Sequence, residues 1–157
     1  MNLTSKSRYA LKIMMDLAHY SAPPSDQAAA IVRRSDIARR QGIPTEYLDQ
    51  IMIRLRSANL VESVRGRSGG YRLGRAADRI TLWDVFAAVE DGIYPVECVA
   101  TENCGFAPSC ITHDAWSSIF AAMREPLVKT TLAEATDKWA DEHRMCPAGG
   151  IRECRGS

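Results

Sequence analysis

A chain of 157 residues, 46% hydrophobic and 25% charged, has the size and composition of one ordinary globular domain with room for a small appendage. No window approaches ~18 uninterrupted apolar residues, which excludes a membrane-spanning helix. The opening MNLTSKSRYALK lacks the apolar core of a secretory leader, so the expected location is the cytoplasm.

The net charge of +1 conceals a division. Residues 1–80 carry 14 Lys/Arg against 7 Asp/Glu, whereas residues 81–157 carry 6 against 12. A basic half followed by an acidic half points to a polyanion-binding part joined to something else.

The first element is an amphipathic helix in TSKSRYALKIMMDLAHY, with Ala10, Ile13, Met14, Leu17 and Ala18 at helical spacing and Thr4 or Ser5 as N-cap. SAPPSDQAAA, with two prolines, reads as a loop. In RSDIARRQGIPTEYLDQIMIRLRSANLV, Ser35 is expected to cap a short helix over 36–41 that Gly42 ends. Pro44 precedes a second helix capped by Thr45, with Tyr47, Leu48, Ile51, Met52 and Leu55 on one face. A short helix, a glycine turn and a longer helix with polar exposed residues predict a helix-turn-helix.

Next, LVESVRGRSGGYRLG alternates as two strands, Val61 and Val64 then Tyr71 and Leu73, around RGRSGG, which supplies the positive-φ positions a hairpin turn requires. A hairpin directly after a recognition helix is a wing. Arg65, Arg67 and Arg72 on or beside it suit phosphate contact or minor-groove insertion. The candidate DNA-contacting residues are Thr45, Glu46, Tyr47, Asp49, Gln50, Arg54 and Arg56 on the helix and Arg65, Arg67, Gly69, Gly70 and Tyr71 on the wing. Arginines would position the protein on the backbone while Glu46, Asp49 and Gln50 meet base edges.

In the acidic half, RITLWDVFAAVED predicts a helix capped at Thr81 with Leu82, Val85, Phe86 and Val89 on its apolar face. DAWSSIFAAMREPLVKTTLAEATDKWADEH places Trp116, Ile119, Phe120, Met123 and Leu127 at helical spacing. Pro126 is expected to kink or restart that helix, and Thr131 to cap a last segment through Trp139. A long helix with one wide apolar face, beyond a small domain, predicts homodimerisation by helix packing.

Between these helices lies CVATENCGFAPSCITH, with Cys98, Cys104, Cys110 and His113 spaced C-x5-C-x5-C-x2-H. A reducing cytoplasm favours a metal or redox site over a disulfide framework. Zinc sites usually pair ligands as tight C-x2–4-C knuckles, which neither gap matches. A nucleophilic cysteine would need a base and an orienting group, and none of the three stands out. An iron–sulfur cluster wants thiolates spread around it, and histidine is able to replace one of them. Spacing therefore favours a cluster, with zinc and structural or redox thiols as alternatives. Cys146 and Cys154, in the glycine-rich end, stand outside this site.

The expected fold is mainly α with a small β-hairpin wing. A winged helix-turn-helix DNA-binding domain spans 1–80, a cluster-binding loop and long dimerisation helix fill 81–140, and a flexible tail runs over 141–157.

The segments LTSKSRYAL, QGIPTEYLDQI, LRSANLVESVRGRSGGYRLG and C…C…CITHDAW are specific in combination. Over about residues 1–140 the chain resembles the iron–sulfur cluster regulator family, the IscR-like winged-helix repressors of bacteria. The resemblance implies a homodimeric, non-enzymatic transcription regulator that binds a double-stranded operator and carries a 2Fe–2S cluster. Cys98, Cys104 and Cys110 match the family's thiolate ligands and His113 its histidine ligand. It further implies that cluster occupancy biases which promoters are bound, typically those of cluster-assembly operons, with the assembly machinery as cluster donor. The chain departs from the family pattern in the long SAPPSDQAAAIVRR loop and in Pro44, Glu46 and Asp49, which bear on the operator read.

Three alternatives remain. A nitric-oxide sensor of the same fold would hold a 4Fe–4S cluster through three cysteines, and His113 weighs against it. An electron carrier or redox enzyme would leave the basic wing without a purpose. The third is a zinc-stabilised interaction module.

Overall fold

A computed structural model describes residues 4–20, 31–67, 69–94, 99 and 109–143. Helix α1 (Ser5–Tyr20) is followed by α2 (Arg34–Gln41), α3 (Thr45–Ser57), strands β1 (Val61–Val64) and β2 (Gly70–Leu73), and a 3-10 turn (Ala77–Arg79). Helices α4 (Leu82–Val89), α5 (His113–Lys129) and α6 (Leu132–His143) complete the order. Among the described residues no helix is long and apolar enough to cross a membrane.

One core joins these elements. The α1 stripe buries Ala10, Ile13, Met14 and Leu17 against Ile37 of α2, the α3 stripe Leu48, Ile51, Met52 and Leu55, Val85 and Val89 of α4, and Leu132 of α6. This is the i, i+3, i+4 pattern of the sequence turned inward. The core runs across residue 80, because α4 packs on both α1 and α3. Below the core, Asp16 is buried in a polar cluster. Arg40 grips its carboxylate through Nε at 2.9 Å and Nη2 at 2.6 Å, and Gln41 donates to it at 2.7 Å. The cluster fixes α2 against α1.

Gly42 ends α2 as expected, at φ 63° and with its N–H donating to the Ala38 carbonyl. Two expected caps are corrected. Ser35 lies inside α2, where Arg33 holds the extended N-cap position. Thr45 is the first helical residue of α3 rather than its cap. Pro44, at φ −57° and ψ 137°, holds the N-cap position; its carbonyl accepts the Leu48 N–H at 2.9 Å, and no side chain caps the first turn. Thr81 and Thr131 do cap their helices, each in a reciprocal box, with Asp84 and Glu134 respectively. The helix at Pro126 does not restart there. It continues to Lys129, where the Thr130 N–H closes on the Pro126 carbonyl at 3.0 Å.

The strands form an antiparallel hairpin in the register Val61↔Leu73, Glu62↔Arg72, Ser63↔Tyr71 and Val64↔Gly70. Val32 adds an isolated antiparallel bridge to β2, exchanging 2.8 Å backbone bonds with Tyr71. The loop read over 21–30, Ser68, and the segment from 144 onward lie outside the described residues.

Candidate nucleic-acid interface and metal centre

Burying Leu48, Ile51, Met52 and Leu55 turns the opposite side of α3 outward: Glu46, Gln50, Ile53, Arg56 and Ser57 are exposed, with Asp49 half-exposed beside them. The sequence-expected reading residues Glu46, Asp49 and Gln50 thus share one face. Asp49 is also held by Arg34 of α2 at 2.7 Å, a half-exposed ion pair that water screens. Thr45 is half-buried at the start of the helix. Tyr47 is turned sideways, its ring edge-on to Tyr9 of α1 at 5.5 Å, so its aromatic face serves the α1–α3 seam.

Arg54 and Arg56, two residues apart, have different surroundings. Arg56 is exposed and has no carboxylate partner among the described residues. Arg54 donates to Asp91 through Nη1 at 2.6 Å and Nη2 at 3.2 Å, and to the Val89 carbonyl at 3.3 Å. Hydrogen bonding to Arg54 holds the Asp91 carboxyl below its ordinary range, and the guanidinium is raised in turn.

On the wing, Arg65 and Arg67 are exposed at the turn and lack carboxylate partners among the described residues. Arg72 is not free: Glu62, directly opposite on β1, binds it at 2.7 and 2.9 Å. Gly69 and Gly70 are glycines for want of space. A Cβ at Gly69 would overlap the Val64 carbonyl, and one at Gly70 the Val32 carbonyl. Tyr71 is half-buried and fixed by its bonds to Val32. Arg65 and Arg67 are thus exposed wing cations without a carboxylate partner among the described residues, and Gly69, Gly70 and Tyr71 sit where space and backbone bonds shape the hairpin.

Of the expected metal ligands, Cys98 and Cys104 lie outside the described residues. Cys110 and His113 flank the first turn of α5. The His113 N–H donates to the Cys110 carbonyl at 3.2 Å, and the Cys110 Sγ lies 3.4 Å from the Thr112 hydroxyl. That hydroxyl and the Thr112 backbone N–H hold the Cys110 thiol below its usual range, against burial and the Asp114 charge, with the His113 N–H assisting. His113 Nδ1 is shielded from solvent and has no hydrogen-bond partner among the described residues. A buried polar atom without a partner calls for an explanation, and a cysteine sulfur three residues from an unpartnered imidazole nitrogen is a donor pair whose chemistry fits an iron–sulfur cluster or zinc.

Sequence periodicity did not identify Glu90 and Asp91, which follow α4. Glu90 accepts from the Thr4 N–H at 3.2 Å, the Thr4 hydroxyl at 2.6 Å and the Ser7 hydroxyl. Burial pushes its carboxyl up, but these hydrogen bonds win and hold it below the usual carboxylate range. Asp91 joins Arg54 and, at 3.8 Å, Lys6. The two residues tie the chain shortly before the cysteine segment to α1 and α3. Across that segment, Tyr94 before it and Phe120 after it bring rings to 5.0 Å, and Phe120 also meets Trp83 of α4 at 5.8 Å.

Known proteins share this arrangement. The Rrf2 family profile, described as an iron-dependent transcriptional regulator, matches residues 3–138. The HTH-type transcriptional regulator IscR of Erwinia tasmaniensis is 41% identical over 163 residues, covering 98% of this chain and 95% of that protein. IscR of Vibrio campbellii is 40% identical over 134 residues, covering 85% and 76%. Among solved structures, CymR, the global cysteine regulator of B. subtilis, matches with a TM-score of 0.70 at 33% identity, covering 88% of this chain and 98% of CymR. T. potens IscR matches with a TM-score of 0.67 at 28% identity, covering 96% and 94%. The relatives are transcriptional regulators rather than enzymes. The chain belongs to the Rrf2 family of DNA-binding transcription regulators and is IscR-like within it.

Proposed function

We propose that this regulator senses iron–sulfur cluster status through a 2Fe–2S cluster held by Cys98, Cys104, Cys110 and His113, and acts mostly as a repressor of cluster-assembly or related genes. The observation that carries the reading is the shielded, partnerless Nδ1 of His113 one helical turn from the Cys110 thiol. The reading includes a cytoplasmic setting and the cluster-assembly machinery as donor. When bound, the cluster supplies a labile link between the cysteine segment and the start of α5, because an imidazole protonates and leaves more readily than a thiolate.

The protein's own residues then carry the signal. A cluster held by Cys98, Cys104, Cys110 and His113 would pull on the chain that leaves Glu90 and Asp91, which grip α1 through Thr4 and Ser7 and α3 through Arg54. Arg54 sits beside the reading face, so a shift at Asp91 re-aims α3. Arg56, Arg65 and Arg67 supply backbone affinity, and Glu46, Asp49 and Gln50 discriminate among bases.

We also propose a homodimer. No residue of the 17-residue α5 is buried, and Trp116, Ile119 and Val128 leave large apolar surface in solvent. A second copy of this helix is the occupant that such a face fits, and a two-fold pair would set two reading heads on half-sites about one helical turn apart.

Anaerobic purification with absorption and Mössbauer spectra tests the cofactor. The expected result is a 2Fe–2S signature that His113→Cys keeps with a shifted spectrum and Cys104→Ala loses. A colourless, zinc-loaded protein would overturn it, and a 4Fe–4S signature would favour a nitric-oxide sensor. Sedimentation velocity tests the dimer.

A further inference from the structure

We infer that Ile53 is a base-reading residue, contacting the 5-methyl group of a thymine in the major groove. The inference rests on the operator-binding role of α3 and adds to it a position and a base.

Ile53 is 62% exposed, whereas its neighbours Ile51 and Met52 are 2% and 1% exposed. Fraying does not explain this. Helix α3 continues to Ser57, whose hydroxyl donates to the Ile53 carbonyl at 3.0 Å. Ile53 lies in line with Gln50 one turn before it and with Arg56 and Ser57 one turn after. It opens onto the groove between α3 and β1 that Arg56, Ser57, Val61, Glu62 and Ser63 complete, Val61 at its floor being only 2% exposed.

The surroundings select the occupant. A protein partner would want a broad apolar patch, as on α5, but Ile53 is a single apolar spot ringed by Gln50, Arg56 and Ser57. In the major groove, the apolar group a base edge presents is the thymine 5-methyl. A β-branched side chain on a helix is nearly confined to one χ1 rotamer, so its methyls stand at a fixed place. Neighbouring Arg56 is exposed for the phosphate that would flank the contacted base. Ile53 would therefore discriminate thymine from cytosine without a hydrogen bond, while Glu46, Asp49 and Gln50 provide the polar part of the code.

The test begins by selecting duplexes from a random pool with the full-length protein. Each thymine of the enriched site is then replaced singly by deoxyuridine, which keeps base pairing and removes only the methyl. For the wild type, one replacement per half-site should raise Kd about fourfold, the value of one buried methyl-sized group. Ile53→Ala, confirmed folded by circular dichroism, should bind both forms equally, and Ile53→Thr, which keeps one branch methyl, should retain part of the penalty. The inference is overturned if the wild type tolerates every replacement, or if the penalty survives in Ile53→Ala. Enrichment of no duplex would instead overturn the operator role itself, and the inference with it.

Discussion

The Arg54 guanidinium holds the Asp91 carboxylate through two hydrogen bonds, of 2.6 and 3.2 Å, across 37 residues of sequence. One partner stands on the recognition helix and the other immediately after α4. Both side chains are substantially exposed, so the pair should matter little to global stability. Asp91→Asn should leave Tm near that of the wild type, while operator affinities of the cluster-loaded and cluster-free forms converge. Fluorescence anisotropy on the two forms checks this. Retention of the full difference would remove the pair from the signalling route.

Asp16 behaves differently because its side chain is fully shielded while Arg40 is 25% exposed. Replacing Asp16 by Ala strands the guanidinium of Arg40 and the amide of Gln41 beside the core. That should cost about 3 kcal/mol, within the range for breaking a buried pair from one side. A urea midpoint shift corresponding to less than about 1 kcal/mol would contradict it.

The Glu90 carboxyl sets a pH signature. Its folded-state value lies below the ordinary 4.5, so the folded protein binds this proton less tightly than the unfolded chain. The stabilisation is therefore complete above the ordinary value and is lost as pH falls through the lower folded value. Urea midpoints of the wild type and Glu90→Gln should differ by a constant amount above pH 5 and draw together under strongly acid conditions. A gap that widens on acidification would reverse the sign.

Gly70 offers a test of shape against contact. An added methyl would overlap the Val32 carbonyl and separate the bridge between Val32 and Tyr71. Gly70→Ala should destabilise by about 1–3 kcal/mol, as backbone strain of this kind does, and weaken every operator alike. If thermal stability is unchanged while affinity falls, Gly70 touches DNA directly instead.

Arg65 and Arg67 should act as cations in contact with the nucleic acid. Each change to Ala should lower affinity for all operators to a similar degree and reduce the slope of log K against log salt by about 1. An unchanged slope would place the wing off the duplex.

Much of this fold is legible in the sequence because helix period and turn chemistry act locally. The stripe Leu48, Ile51, Met52, Leu55, the capping boxes at Thr81 and Thr131, and the wing register all follow from residues a few positions apart. The start of α3 is not legible locally, because Thr45 is a good cap in isolation, whereas the extended Pro44 takes the cap position and Thr45 is already helical. Local pattern also cannot name distant partners. Arg54 reads as one more phosphate-binding cation until Asp91 folds against it, and Glu90 meets Thr4 across 86 residues. Ile53 was concealed inside the apolar run IMI, although a strict helical projection from Leu48, Ile51 and Leu55 already points it outward.

The packing of α5 has a mechanical consequence. Its far end is clamped where Leu82 N–H meets the Thr130 carbonyl at 3.1 Å and Leu132 N–H meets the Ile80 carbonyl at 2.7 Å. Its middle rests on Trp83 through Phe120 and through Arg124, whose guanidinium carbon stands 5.2 Å from the centroid of that ring. From Phe120 to His113 the helix overhangs by seven residues, about 10 Å. Among the described residues it is a beam held at two points, with His113 at the end away from them. A ligand drawn to His113 would load that end of the beam, and the reaction force would appear at Trp83, on the same short helix that leads to Asp91.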